Sequence, residues 1–146
     1  MTRTIVDEIN DLNIENGLEL LKGLSDTEVE SAFQGYAFDT RDIRAYTFVT
    51  ELIRREEKWQ WQYLASLIMC TGLCHFEGAY FPAYFHALEA IKLAPDDESL
   101  REYVLFFHNI PDRVMSKKEA MEQVKVLLSM NPDNVTGLHV LAYLQK

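Results

Sequence analysis

The chain has 146 residues, 48% of them apolar and 25% charged, enough for one compact domain and too few for two comfortable ones. Only 6 Gly and 4 Pro interrupt it, which favours long helices over many short strands. A net charge of −9 repels nucleic-acid phosphate and attracts basic proteins, and two cysteines are too few for a disulfide framework.

Residues 4–12 and 17–23 carry weak helical stripes, Ile5, Ile9 and Leu12 on one and Leu18, Leu21 and Leu24 on the other. Ser25 followed by Glu28 forms a capping box and predicts a helix over 26–34. Asp39 and Thr40 are expected to cap a helix over 41–57, with its stripe at Ile43, Tyr46, Val49 or Thr50, and Ile53. Residues 59–76 form the most apolar predicted helix and read as the buried centre. Gly78 breaks it, and a helix over 80–93 follows with Pro82 in its first turn. Ala94-Pro95-Asp96-Asp97 stops that helix and caps the next, over 98–108. After a loop at 110–112, Ser116 and Glu119 make a second capping box for a helix ending near Met130. Asn131-Pro132-Asp133-Asn134 again stops and caps, ahead of a last helix over 135–145.

About seven or eight helices with no strand are therefore expected, in an all-α chain. Helices joined by short loops pack as antiparallel hairpins, and successive hairpins stack into an α-solenoid. The start, MTRTIVDEINDL, lacks an apolar stretch, and the apolar run 64–74 is too short to span a bilayer. A cytoplasmic location is the expectation.

Two segments end alike: ALEAIKLAPDD at 87–97 and VKVLLSMNPDN at 124–134. Their prolines, Pro95 and Pro132, mark an internal period in the range of helical repeats. The first unit resembles a tetratricopeptide repeat. Gly78-Ala79-Tyr80 stands at the turn between paired helices, Ala83 and Ala90 at the small close-approach positions, Leu88 and Leu93 at core positions, and Pro95 at the end. In the second unit Ala120 and Pro132 fit, while Leu127 replaces the second alanine and Val114-Met115 replaces the glycine turn. The resemblance covers 64–146 and leaves 1–63 as acidic, non-repeat helices of the same domain. It implies stacked hairpins over 64–146, with the last helix as a cap.

Candidate chemistry is sparse. Cys70 and Cys74, four apart with His75 beside them, could approach a metal, but the sequence offers no fourth ligand and both read as core thiols. His86, His108 and His139 sit in predicted helices rather than loop motifs, and no glycine-rich phosphate loop is present. No catalytic residue, metal or cofactor is assigned. Eleven aromatics lie between Trp59 and Phe107, and some are expected at the surface as binding anchors.

The expected function is a non-enzymatic protein-binding module for a basic partner. It would act as an inhibitor, such as a bacterial immunity protein that neutralises a toxic enzyme, or as a peptide-binding adaptor or chaperone. The tetratricopeptide resemblance implies a concave groove at Ile68, Gly72, His75 and Phe76, then Glu102, Phe106 and Asn109, then His139 and Tyr143. Residues 1–42 hold ten acids against three bases, which makes Asp39 and Asp42 candidate rim charges. A monomer or a weak homodimer is expected; a dimer through the last helix would mark the remaining alternative, a self-assembling structural protein.

Overall fold

A computed structural model describes residues 2–146. Ten helical segments and no strand occur among them, so the chain is all-α. They are α1 (Ile5–Asp11), α2 (Ile14–Leu21), α3 (Asp26–Thr40), α4 (Arg44–Arg55), α5 (Trp59–Cys70), α6 (Tyr80–Leu93), α7 (Glu98–Val104), α8 (Phe106–Asn109), α9 (Lys117–Met130) and α10 (Val135–Leu144). The count exceeds the expected seven or eight because α1 and α2 are separate short helices, and because Leu105 divides 98–109 into α7 and α8.

Both capping boxes close as their sequences dictate. Ser25 Oγ accepts from Glu28 N while Glu28 returns to Ser25 N, and Ser116 and Glu119 repeat the arrangement. Asp97 and Asn134 cap α7 and α10. Asp39 and Thr40, by contrast, do not cap α4. They form the last turn of α3, which runs six residues past Gln34 and ends where Arg41 turns left-handed at φ 55°. Asp42 takes over at the start of α4, its Oδ1 accepting from Arg44 N.

Helix α5 stops at Cys70 rather than continuing to 76. Residues 71–79 form a run of turns, and Gly78 adopts φ 77° just before α6. Cys74 therefore does not share a helix face with Cys70, and its side chain is exposed, which corrects the reading of both thiols as core.

Helices α5 and α6 make the most intimate pair. Ser66 bonds the Ala83 carbonyl at 2.6 Å and Gln62 meets His86 at 2.7 Å, so the partners run in opposite directions along the two helices. Ala83 and Ala90 are wholly buried on this seam, where small side chains permit close approach. Leu88 is only half-buried and Leu93 is 41% exposed; Ile91, two residues earlier, is the buried residue of that turn.

Packing passes from neighbour to neighbour. Helix α6 contacts α7, α7 contacts α9, and α9 contacts α10. On the other side, α4 and α3 lie on α5, and α1 and α2 complete the N-terminal cluster. Phe33 of α3 and Phe48 of α4 meet edge to face at 5.6 Å in one apolar core that extends from Ile5 to Leu144. Glu8 is wholly buried in it and pairs with Arg3. A polar bridge crosses three helices: Gln62 Oε1 accepts from His86 Nδ1, leaving His86 Nε2 to accept from the Tyr46 hydroxyl at 2.7 Å. No helix among the described residues is long and apolar enough to cross a membrane.

Candidate functional site

An open groove of about 340 Å³ runs between α5 and α7, lined by Leu67, Cys70, Thr71, Glu102, Tyr103 and Phe106. Its floor is set by Tyr103. Ser66 Oγ donates to the Ala83 carbonyl, so in its 2.8 Å bond with Tyr103 the phenol donates. The Cys70 sulfur stands 3.2 Å from the same phenol oxygen. Three helices are thereby tied at one point, and the ring packs edge-on against Tyr63 and Phe107 at 5.0 and 5.9 Å.

Burial pushes the Tyr103 hydroxyl far above its ordinary range, with the nearby thiol adding to the effect. Burial also raises the Cys70 thiol, which stays protonated at neutral pH and is a poor nucleophile. The groove is consequently a largely apolar surface with a fixed aromatic floor, and Glu102 is the charged residue of its lining.

One side of the groove is acidic. Asn134 Nδ2 donates to Glu98 Oε1 at 3.1 Å and to Glu102 Oε1 at 2.6 Å, while its Oδ1 accepts from Gly137 N at 2.8 Å. The same amide caps α10 and ties α10 to α7. Among the described residues no Lys or Arg pairs with either carboxylate, so a neutral group holds two negative charges together.

The residues expected at the groove fall into distinct places. Glu102 and Phe106 line it, and Phe106 lies 6.3 Å from the Tyr80 ring. Ile68 is wholly buried, and Gly72 is buried against α3, its nearest neighbours there being Ala37 and Phe38. Neither residue reaches the surface, and α3 covers Gly72. His75 and Phe76 are exposed in the turns after α5, their rings 4.3 Å apart. Asn109 is exposed at the end of α8, and His139 and Tyr143 are exposed on α10 beside Val135 and Leu138.

Asp39 is exposed at the end of α3. Asp42 is not a free charge: Arg44 binds both its oxygens, at 2.9 and 2.7 Å, and also donates to the Asn10 carbonyl. Arg44 holds the Asp42 carboxyl down to about 2. Neither acid lines the α5–α7 groove.

Leu67, Cys70, Thr71 and Tyr103 were not expected to line it. The signal lay in the spacing of Leu67, Cys70 and Thr71, which share one helical face. Exposed aromatics also stand outside the groove, Phe81 and Phe85 one turn apart on α6 and Phe38 on α3. Among the described residues no three His, Cys, Asp or Glu side chains converge as a metal site. Comparison of the chain with known protein families, curated proteins and solved structures gives no match.

Proposed function

We propose that the chain is a non-enzymatic protein-binding module whose α5–α7 groove receives an apolar side chain of a basic protein. The observation that carries this reading is one juxtaposition. An apolar groove with an aromatic floor lies directly beside two carboxylates that only an amide holds. Apolar or aromatic anchors in desolvated pockets supply most interface energy, and rim charges steer encounter. Glu98 and Glu102 would meet Lys or Arg residues flanking the anchor.

Two further features support the tetratricopeptide-like form of the reading. Gly78-Ala79-Tyr80 stands at the turn before α6, and the wholly buried Ala83 and Ala90 lie on the α5–α6 seam. In that family partners lie in the groove of the first helices. Here the N-terminal helices would narrow the usable groove to its α5–α7 portion. Within this class the reading is an inhibitor acting in the cytoplasm on a basic toxic enzyme, as bacterial immunity proteins do. A net charge of −9 suits that partner.

The test is comparative affinity capture with the wild-type chain and Phe106→Lys, which places a cation where the groove expects an apolar group. The expected result is a basic protein held by the wild type and lost from the variant. Retention of the same proteins by both chains would refute the assignment of the groove.

A further inference from the structure

The acidity of the whole chain conceals a local reversal near its C-terminal end. A cavity of about 280 Å³ lies among the end of α8, the loop before α9 and the last turn of α10, lined by His108, Arg113, Lys117, Tyr143, Leu144 and Lys146. Half of these side chains are cations. Among the described residues none of the three pairs with a carboxylate.

A second feature points to a ligand. His108 is 5% exposed, and its Nδ1 lies 3.1 Å from the Met115 carbonyl. A carbonyl only accepts, so Nδ1 carries the hydrogen and Nε2 is left without a protein partner in a ring that lines the cavity. The Tyr143 ring, which also lines the cavity, meets the imidazole edge to face with centroids 6.4 Å apart. Nε2 is therefore a free hydrogen-bonding atom of the cavity lining, open to solvent or to an occupant.

The loop is rigidly stitched. Met115 N donates to the Phe107 carbonyl and Arg113 N to the Ile110 carbonyl, and Arg113 adopts φ 43°. Lys117 opens the 14-residue α9, whose N-terminal dipole adds positive potential. The acid of that first turn is committed elsewhere: Glu119 accepts from the Tyr84 hydroxyl and from Ser116 N.

We propose that this cavity binds the phosphate group of a small phosphorylated molecule, or free phosphate. Three cations match a doubly charged group, and the Arg113 guanidinium can bond two of its oxygens. With Nδ1 carrying the hydrogen, His108 Nε2 can accept from a protonated phosphate oxygen. At about 30 Å³ per water the space equals roughly nine waters, enough for a phosphate and a few carbons but not for a polymer strand. The long-range field of the acidic chain opposes nucleic acid, but it is screened within about 8 Å at physiological salt.

The site shares no residue with the α5–α7 groove, so its test is independent of the proposed protein partner. The ¹⁵N-labelled full chain is titrated with inorganic phosphate and separately with glycerol 3-phosphate, at constant ionic strength. Saturable shifts are expected at the amides of Met115, Lys117 and Tyr143. Tighter binding of glycerol 3-phosphate identifies a phosphomonoester as the ligand, and tighter binding of phosphate identifies the free ion.

Arg113→Gln and Lys117→Gln, both at exposed positions, should each weaken binding about tenfold, the usual effect of losing one charge-assisted bond. Lys125→Gln, exposed on the same helix but outside the cavity, should not. His108→Asn keeps a donor for the Met115 carbonyl and removes Nε2, and should weaken binding as well. If that variant fails to fold, the two exposed variants decide. Shifts that grow linearly without saturating, or equal weakening by Lys125→Gln, would show only an ionic atmosphere and overturn the proposal.

Discussion

Replacing Gly72 with Ala should destabilise the chain, and the structure sets both the sign and the size. A Cβ at Gly72 would lie 2.7 Å from Ala37 Cβ, 2.8 Å from the Ala37 carbonyl carbon and 2.8 Å from Phe38 N. Carbon atoms rest about 3.5–4.0 Å apart, so α3 would have to retreat from the end of α5 by about 1 Å. Two of the three neighbours are backbone, and no side-chain rotation relieves the contact. Overpacking of this kind costs about 1–3 kcal/mol. The alanine recovers about 0.4–1 kcal/mol by restricting the unfolded chain, leaving a net loss of about 1–2 kcal/mol. For a domain of this size that lowers Tm by about 3–7 °C. Gly35, in the middle of α3, is the internal control, because a Cβ there meets nothing within 4 Å. Gly35→Ala should raise stability by about 0.5–1 kcal/mol. Both variants are compared by thermal unfolding followed by circular dichroism. A Gly72→Ala chain as stable as the wild type, or shifts of the same sign in both variants, would refute the close approach of α3 to α5.

Tyr46→Phe leaves His86 Nε2 buried without its donor and should cost about 1–3 kcal/mol in urea unfolding. Burial holds His86 below its ordinary 6.5, so below 6.5 the unfolded chain takes up a proton that the folded chain refuses. This site's contribution is then complete above 6.5 and declines as pH falls below it; a flat stability profile across that range would contradict the buried, neutral imidazole. A thiol reagent should label Cys74 quickly and Cys70 much more slowly, because Cys74 is exposed while Cys70 is half-buried in the groove wall and its thiol is raised. Cys74→Ser should remove the fast phase alone, and a fast phase that survives this change would place Cys70 at the surface.

Local features were legible in the sequence and tertiary ones were not. The capping boxes at Ser25–Glu28 and Ser116–Glu119 involve atoms three residues apart, so the pattern and the structure coincide. Helix ends were harder to read. The helix expected over 26–34 runs on to Thr40 and ends through a left-handed Arg41, a residue with no preference for that role. The apolar run after Cys70 suggested a longer α5, but Leu73 is buried from a turn. Periodicity reports burial, not helicity. At the candidate site, the tetratricopeptide resemblance pointed to Glu102 and Phe106, and both line the groove. The cover over Gly72 was not legible, because α3 reaches it from more than thirty residues away in the chain. The pairing of Asp42 with Arg44 was visible as a short spacing, but the total charge of 1–42 drew attention to the acid alone.

The neighbour-to-neighbour packing has a kinetic consequence. Helices α5 to α7 pack in chain order, and α9 packs on α10 across a four-residue turn. Most of the core can therefore assemble while closing only short loops, and low contact order of this kind goes with rapid folding. The N-terminal helices must instead return to α5 from farther along the chain, and the loop-closure entropy falls on that step. Docking of α3 against Gly72 is thus expected late, after the α5–α6 hairpin has formed. A nascent chain would meet its final constraint not at its last residues but where its earliest helices find the hairpin made after them.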